Sequence, residues 1–539
     1  MAEKLPKVLF QKTQIDYAQT GYFGKLILDY LEQNKQLSSF YDGFPSLREF
    51  ERRIELRSSF PGSKRQLLYE VLSEQYQGIT LSSKSAFSLE NILSKNTFTV
   101  VTGHQLCLFT GPLYFLYKIA GIIRQAEELN TSFPESHIVP VFWMATEDHD
   151  FDEVNHAHIQ DSTIKWYTQS ASAVGRLNLK ELEKVVDELS ELIGIGKRQT
   201  EIIQLLKKCY RKSNTLAQAT RELVNSIFGE SGLLILDGDD TRLKREMIPV
   251  FKAELESNKA FSAISDQSNK LAKEYSIQAL PREINLFYLT EEGRFRLEKK
   301  ENRFNALGSE HSYSKEELLN ELQSYPERFS PNVLLRPLYQ ESILPNLAYT
   351  GGGGELAYWF QLKELFIQFS VPFPLLMLRN SFLWVNKGVS NRRKELNLDL
   401  DDLFKNSNDL VEKRLKENAS FDFNLSSFEE KLDEIFIGLE EVSKRTDKSM
   451  QTAVAAQRQK QMKGLANLKK KLLRAEKRKA IALVNQIEGI ERKLFPNGQL
   501  QERYSNWIDF YLAYGSEFID SLIENSDFLD FKFSVLEEK

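Results

Sequence analysis

Titratable side chains are concentrated directly after the apolar segment 138–145. Glu147, Asp148, His149 and Asp150 follow it almost without interruption. Burying such groups beside a strand costs free energy, so their presence there indicates chemistry rather than stability. Imidazole is the side chain best suited to moving protons near neutral pH. We therefore interpret His149 as a general acid–base group that is tuned and oriented by Asp148 or Asp150.

The same region contains residue types that bind metal ions. His149, His156 and His158, together with the nearby aspartates, include ligands that suit Zn²⁺, Mn²⁺ or iron. Their spacing matches no established motif such as His-Glu-x-x-His. No metal is therefore predicted, and a metal-dependent hydrolase stays open as an alternative. The other polar residues that we assign to binding a substrate or nucleotide in this region are Glu147, Asp152 and Asn155.

A second polar break follows the apolar segment 97–102. Gly103 allows a sharp turn there, and His104 and Gln105 then project from the strand end. Open α/β sheets place their ligands at the carboxyl ends of parallel strands. We expect Gly103, His104 and Gln105 to border a ligand crevice, although an ordinary strand-to-helix turn has the same pattern.

Thr110, Gly111 and Pro112 are typical of the start of a helix. Threonine can cap the first amides, and proline has no amide hydrogen to lose. The exposed amides and the positive end of the helix dipole would favour a phosphate or a carboxylate. Tyr114 and Lys118 follow at spacings that keep at least one of them near the same crevice.

Two later segments add candidate ligand contacts. Arg336 leaves a predicted strand end and suits bidentate recognition of a carboxylate. The glycines at 351–354 allow backbone amides to approach a ligand closely, and Glu355 opens the following helix. The segment lacks the Lys-Ser/Thr ending of a P-loop, and a plain tight turn is the alternative. The residues assigned to binding here are Arg336, Gly351, Gly352, Gly354 and Glu355.

Strands that alternate with helices must position these residues. This alternation favours a parallel, doubly wound α/β sheet, a Rossmann-like nucleotide-fold core, within residues 1–400. The short apolar runs that predict its strands are residues 97–102, 138–145, 233–236, 333–336, 347–350 and 374–378.

Two stretches are too long for ordinary crossovers between strands. Residues of about 160–230 are mostly charged and helical in pattern, and residues of about 240–330 contain a predicted hairpin, 284–289 with 294–298. Whole crossovers normally need far fewer residues. We predict that both stretches are insertions into the core.

The composition changes after about residue 400. We predict that residues 401–539 form an antiparallel coiled-coil arm with a C-terminal tail, and that the arm joins two copies into a homodimer. The basic stretch 458–493 is predicted to be a solvated helix face rather than a nucleic-acid surface, because no aromatic residues interleave it. The apolar residues that predict the first helix of the arm are Phe428, Leu432, Ile435, Leu439 and Val442.

The bulk composition restricts the class of protein. The 539 residues carry a formal net charge of -5 and two cysteines, so neither nucleic-acid binding nor a disulfide framework is indicated. No apolar run approaches the roughly 20 residues that span a bilayer, and the N-terminus lacks the layout of a signal peptide. We expect a cytoplasmic protein that acts on small molecules, with no membrane or nucleic-acid partner.

Four motifs together resemble the bacillithiol biosynthesis cysteine-adding enzymes, a family of cysteine ligases. The resemblance covers essentially the whole chain, although His104 and the second of the four glycines depart from the family pattern. The motifs are Thr102-Gly-His-Gln with Phe109-Thr-Gly-Pro-Leu-Tyr114, Pro140-Val-Phe-Trp143 with Glu147-Asp-His-Asp-Phe-Asp-Glu153, Arg336-Pro-Leu-Tyr-Gln-Glu341, and Gly351-Gly-Gly-Gly-Glu-Leu-Ala-Tyr-Trp359.

That resemblance implies a core similar to class I aminoacyl-tRNA synthetases, with connecting-peptide-like insertions and a dimerising coiled coil. It also implies the last step of bacillithiol biosynthesis, in which the carboxyl of cysteine is joined to the amine of glucosaminyl-malate. Because the carboxyl must be activated, ATP is the implied cofactor, and His149 would take a proton from the attacking ammonium. A metal-dependent hydrolase and a nucleotide-binding coiled-coil scaffold are the alternatives.

Overall fold

The computed structural model describes residues 10–168, 172–418, 425–479 and 481–539. The chain divides into two units. The first runs from the start of the described chain to Trp384 and includes Leu500–Glu537, and the second is Val385–Gln499. Within the described residues, no helix is both long enough and apolar enough to cross a membrane.

The strands carry the labels β1 to β15 in chain order. They are β1 (Phe10–Ile15), β2 (Thr97–His104), β3 (His137–Met144), β4 (His156–Ile159), β5 (Ser162–Lys165), β6 (Leu234–Asp237), β7 (Leu286–Leu289), β8 (Arg294–Lys300), β9 (Arg303–Ala306), β10 (Ser312–Ser314), β11 (Phe329–Pro331), β12 (Asn346–Gly351), β13 (Leu375–Leu378), β14 (Phe382–Val385) and β15 (Phe533–Glu538).

The α-helices carry the labels α1 to α24. They are α1 (Tyr17–Thr20), α2 (Lys25–Leu31), α3 (Leu47–Arg57), α4 (Gly62–Gln75), α5 (Ser83–Asn91), α6 (Tyr114–Ser132), α7 (Phe151–Val154), α8 (Leu182–Ile193), α9 (Lys197–Lys212), α10 (Leu216–Phe228), α11 (Thr241–Arg245), α12 (Ile248–Ser257), α13 (Lys259–Leu271), α14 (Lys315–Ser324), α15 (Arg336–Ile343), α16 (Gly353–Trp359), α17 (Lys363–Gln368), α18 (Lys387–Glu395), α19 (Ser407–Asn418), α20 (Ser426–Ser443), α21 (Lys448–Lys479), α22 (Ile481–Leu494), α23 (Trp507–Tyr514) and α24 (Glu517–Asn525).

The predicted parallel α/β sheet is confirmed. Its order is β13-β12-β2-β3-β6, and each neighbouring pair is parallel. Every residue of β2 is buried, as expected for a parallel strand covered on both faces. Gly103 pairs with Trp143 and His104 with Met144, so the two polar breaks that follow these strands meet at one edge of the sheet.

The strand predicted at 333–336 is wrong. The chain makes a turn there and enters α15 at Arg336. The side-chain oxygen of Asn332 accepts hydrogen bonds from the amides of Leu334 and Leu335, each at 3.0 Å, and Pro337 lies in the first turn of the helix. Both features start helices rather than strands.

Both predicted insertions contain structure of their own. The first begins with the hairpin β4–β5 and continues through α8, α9 and α10. The second contains the predicted hairpin, now β7 and β8, within an antiparallel sheet of order β10-β9-β8-β7-β11. Strand β11 pairs with β7 and leads directly into the turn before Arg336.

The segment after the arm returns to the first unit. Strand β15 lies between β1 and β14. Gln501 accepts a hydrogen bond from the amide of Trp384 at 3.1 Å, and the buried carboxylate of Glu502 pairs with Arg379 at 2.6 Å. The boundary that we drew at residue 400 grouped this segment with the arm, whereas its contacts are with the core strands.

In the second unit, α20 and α21 form the predicted pair of coiled-coil helices. Arg458 of α21 makes two hydrogen bonds of 2.8 Å to Asp433 of α20, and Phe436 is buried. The apolar series that predicted the first helix of the arm lies within α20, so that helix is confirmed, but four of its side chains are largely exposed. The exposed fractions are 59% for Phe428, 59% for Ile435, 45% for Leu439 and 61% for Val442.

Candidate active site

The carboxyl ends of the central strands border a cavity of about 640 Å³ in the first unit. This is the edge at which open α/β sheets bind ligands. The cavity brings together residues that the sequence placed on four separate segments. The predicted site residues in its lining are Gly103, His104, Gln105, Tyr114, Lys118, Glu147, Asp148, Arg336, Gly352, Gly354 and Glu355.

Thr110 and Gly111 lie outside the cavity lining, and the helix start predicted there is wrong. Thr110 has φ 70° and Gly111 has φ 68°, and α6 begins only at Tyr114. The side chain of Asn506 donates to the carbonyl of Gly111 at 2.7 Å, so the tail covers this turn. A Cβ on Gly111 would lie 2.6 Å from Cys107 Cβ, which explains the glycine by packing rather than by ligand binding.

The remaining predicted residues are not part of the cavity lining. The side chain of His149 is 46% exposed at its rim. Asp152 is exposed and accepts from Asn155 at 3.3 Å, while Asn155 itself is buried. Gly351 ends β12, where a Cβ would lie 2.9 Å from the ring of Tyr349.

One wall of the cavity contains the cations. The ammonium of Lys118 lies 2.5 Å from Glu355 Oε2 and donates to the carbonyl of Gly103 at 2.9 Å. Burial opposes ionisation of Glu355, yet Lys118 and the amide of Gly352 outweigh it and lower the pKa of Glu355 to about 2. Lys118 is therefore neutralised by a side chain of its own protein.

Arg336, the first residue of α15, belongs to the same wall. Its guanidinium donates to Gln340 Oε1 at 3.0 Å and to the hydroxyl of Tyr358 at 3.3 Å. A Cβ on Gly103 would approach it to 3.9 Å. These partners are uncharged, so they leave the positive charge of Arg336 without a carboxylate partner, and its role in carboxylate recognition stays a prediction.

His104 contributes a neutral ring. It stacks on Tyr114 with ring centroids 5.1 Å apart. Burial, followed by the charge of Lys118, lowers the pKa of His104 to about 3, so the imidazole is uncharged at neutral pH.

The opposite wall is acidic. Gln105 Nε2 donates to Asp148 Oδ2 and to Glu153 Oε2, each at 2.7 Å. Asp148 Oδ1 accepts the amide of His149 at 2.7 Å and lies 3.6 Å from its Nδ1. Burial alone would raise the pKa of Asp148, but the hydrogen bonds from His149 and Gln105 hold it well below its usual range.

Of the two aspartates predicted to orient His149, Asp148 lies nearer to its ring, with Oδ1 3.6 Å from Nδ1. Asp150 is exposed and begins α7. No hydrogen bond between Asp150 and the His149 ring is present in the part of the chain that the structure describes. Arg294 Nη1 lies 3.5 Å from His149 Nδ1 and 3.9 Å from Asp148 Oδ1, so the carboxylate and the guanidinium lie beside the same ring nitrogen.

A buried ion network supports the acidic wall from behind. The fully buried ammonium of Lys244 lies 2.6 Å from Glu147 and 2.9 Å from Asp239. Arg176 binds Asp239 with two hydrogen bonds of 2.7 and 2.9 Å. Glu147 is therefore paired with Lys244 and also lines the cavity.

Sequence reasoning missed three arginines that line the cavity: Arg294, Arg379 and Arg503. Arg379 follows the apolar run 374–378, so the strand-end pattern used elsewhere would have identified it. Arg294 lies in the hairpin, and Arg503 lies in the tail, more than a hundred residues beyond the core in sequence. Arg294 and Arg503 lie outside every motif, so the sequence around them gave no sign of a binding role.

The site has features that bear on nucleotide and metal binding. Gly352, Gly353 and Gly354 present bare backbone to the cavity, which allows the close approach that phosphates need. The amide of Gly352 is already used by Glu355 at 2.8 Å. Among the described residues, no group of three or more His, Cys, Asp or Glu side chains is placed to hold a metal ion.

Comparison with known proteins identifies the family. The model of the bacillithiol biosynthesis BshC N-terminal Rossmann-like domain matches residues 10–380, and that of the BshC C-terminal coiled-coil domain matches residues 382–538. This chain belongs to the BshC family. The resemblance noted from the four motifs is thereby confirmed.

This chain aligns with relatives from different bacteria over almost the whole length of both sequences. Proteins named "Putative cysteine ligase BshC" from Flavobacterium johnsoniae and Christiangramia forsetii are each 42% identical, over 97% of this chain and 99% and 98% of their own lengths. One from Bacillus cytotoxicus is 26% identical over 92% of this chain and 95% of its own. Both domains of the family are thus present here.

Proposed function

We propose that this protein is a ligase that forms an amide bond between the carboxyl of cysteine and the amine of glucosaminyl-malate, completing bacillithiol biosynthesis. The observation that carries the proposal is a single cavity with opposed charged walls in a member of the BshC family. An amine-bearing substrate with carboxylates matches an acidic wall facing a cationic one.

The cationic wall would orient the malate moiety. The two hydrogen-bond partners of Arg336 described above are uncharged. Arg336 can therefore pair with a substrate carboxylate. Lys118 contributes less than the sequence suggested, because Glu355 already neutralises it. The stacked rings of His104 and Tyr114 would give the substrate van der Waals contacts, and the hydroxyl of Tyr114 would give it a hydrogen bond.

The acidic wall would handle the amine. The amine of glucosaminyl-malate must lose a proton before or during attack on the activated carboxyl. His149 is solvent-accessible, lies at the cavity rim and is held by Asp148, so it would accept that proton as a general base. Asp148 would attract the ammonium and stabilise the imidazolium that forms.

Condensation of a free carboxylate with an amine is uphill in water, so an activating donor is needed. ATP would supply this by converting the carboxylate to an acyl adenylate or acyl phosphate. The bare backbone at Gly352–Gly354 fits the close approach of phosphate oxygens. No described cluster favours the metal-dependent hydrolase as a second candidate.

The decisive experiment is mass spectrometry of purified protein with glucosaminyl-malate and cysteine, with and without ATP. Amide product that depends on ATP is the expected result. Product without ATP would reject the activation step, and product that appears only after adding cell extract would identify a different donor. Absence of product under all these conditions would reject the proposed function.

A homodimer is proposed from the exposed apolar face of α20, formed by Phe428, Ile435, Leu439 and Val442. These residues lie at spacings that place them on one side of the helix, and α21 does not cover them. Exposed apolar side chains at coiled-coil spacing commonly pack against another helix. A second copy of the same helix would bury them.

A further inference from the structure

The cations of the substrate cavity differ in how far the protein neutralises them. Lys118 is paired with Glu355 at 2.5 Å, and Arg379 is paired with Glu502 at 2.6 Å. Within the described residues, Arg336 and Arg503 line the cavity without an ion pair to any carboxylate. The free positive charge of the cationic wall therefore belongs to these two guanidiniums.

The side chain of Arg503 is exposed, but its neighbours fix the backbone from which it extends. It ends the short 3-10 turn Gln501–Arg503. The preceding residue, Glu502, is fully buried and binds Arg379. Gln501 Oε1 accepts the amide of Trp384 at 3.1 Å, and Gln501 Nε2 donates to its carbonyl at 3.4 Å. The turn is thus attached to the edge of β14, which fixes the point from which Arg503 reaches the cavity.

Arg503 also lies where two spaces meet. It lines the main cavity of about 640 Å³ and a second one of about 370 Å³, and the two cavities share the glycines 352–354 in their linings. Burial raises the pKa of Tyr114 to about 12, against the opposing charges of Arg379 and Arg503. The guanidinium of Arg503 therefore acts on the same part of the cavity as the tyrosine that stacks on His104.

Two free guanidiniums on different elements match a ligand with two separate anionic groups. Each can form charge-assisted hydrogen bonds with one carboxylate, and neither needs to release an internal partner. We propose that Arg503 is a specificity-determining residue that pairs with the malate carboxylate that lactate lacks, while Arg336 pairs with the carboxylate that malate and lactate share. This assignment rests on the proposed function.

The test compares glucosaminyl-malate with its analogue in which lactate replaces malate, so that one carboxylate is missing. Wild-type protein, Arg503→Gln and Arg503→Lys are titrated with both compounds and with ATP by calorimetry, and kcat/KM is measured for both. The matched control is Arg124→Gln, which removes the same charge from a surface arginine on α6 that pairs with Glu128.

Arg503→Gln is expected to weaken binding of glucosaminyl-malate by about tenfold to a hundredfold, as for loss of a hydrogen bond between charged groups. Binding of the lactate analogue should change much less, so the discrimination between the two compounds collapses. Arg503→Lys should recover part of it, and Arg124→Gln should match wild type. ATP binding should be unaffected.

Two results would overturn the assignment while leaving the proposed function intact. Equal weakening for both compounds would mean that Arg503 does not pair with the second carboxylate. Weakened ATP binding with unchanged glucosaminyl-malate binding would assign the residue to phosphate instead. If the wild-type protein neither binds glucosaminyl-malate nor converts it, the assignment fails together with the proposed function.

Discussion

At the scale of residues, the site is a set of charges of which most are already compensated. Lys118, Arg379 and Lys244 each have a carboxylate partner. Desolvated ions are expensive unless paired, so the uncompensated side chains are the ones to assign to ligands. By that criterion we expect Arg336 to contribute more to ligand recognition than Lys118, although the sequence suggested both.

His149→Ala is expected to lower kcat/KM by about 10²- to 10⁴-fold, the usual contribution of a general base. The side chain is half exposed at the rim, so the fold should be retained by circular dichroism. His311→Ala, an exposed histidine of the second insertion, is the control and should be close to wild type. Near-full activity of His149→Ala would remove this residue from the mechanism.

Lys244→Met is expected to reduce the free energy of unfolding by about 3–5 kcal/mol, because Glu147 and Asp239 would lose a buried partner. Urea unfolding followed by fluorescence measures this. Lys252→Met changes an exposed lysine and should alter stability by less than about 0.5 kcal/mol. Equal stability of the two variants would contradict a structural role for the buried network.

At the scale of elements, strand ends and helix starts deliver the side chains. The turn after β12 shows how: Glu355 accepts the amide of Gly352, binds Tyr349 at 2.7 Å and pairs with Lys118. One carboxylate thereby joins α16, β12 and α6. The missing Cβ atoms at Gly351 and Gly353 permit this approach, because side chains there would meet Tyr349 and Ile27.

The Glu355 contacts predict a pH dependence of stability. The pKa of Glu355 is about 2, below its ordinary value of 4.5, so its stabilising effect is complete above pH 4.5 and is lost as the pH falls towards 2. The difference in unfolding free energy between wild type and Glu355→Gln should therefore shrink across that window. The control Glu364→Gln, on α17, should differ little from wild type. A difference that does not change with pH would contradict the ion pair.

At the scale of the whole molecule, the chain leaves the core after Trp384 and returns to it at Leu500. The returning segment supplies Glu502 to Arg379 and Arg503 to the cavity. The site is therefore incomplete without residues from the end of the chain. The exposed apolar face of α20 belongs to the intervening unit, and its proposed partner is a second copy.

Ile435→Glu should convert the proposed dimer to a monomer, because a charge would enter the apolar contact. Size-exclusion chromatography with light scattering measures the mass. Ile437→Glu is a matched control, since Ile437 is 49% exposed on a different side of α20. A wild-type monomer, or equal dissociation by both variants, would contradict this interface.

Short runs of apolar residues predicted much of the fold because they indicate which segments are buried as strands or helices. Apolar β-branched runs identified β2 and β3, and the two runs at 284–289 and 294–298 identified the hairpin β7–β8. The same reasoning failed at 333–336, where an apolar run starts a helix. Apolar spacing predicted α20 as a helix, but such spacing does not say which neighbour covers the apolar side chains.

The sequence by itself determined the five strands of the parallel sheet, with one false strand at 333–336, and showed that polar residues follow the central ones. Hydrophobic periodicity and glycine placement act over a few residues, so they can be read locally. Only the tertiary structure decided which charges remain free. Lys118 pairs with Glu355 and Arg379 pairs with Glu502, and the partners in each pair are more than a hundred positions apart in the sequence. Electrostatic compensation is a matter of distance in space, so it appears only once the chain has folded.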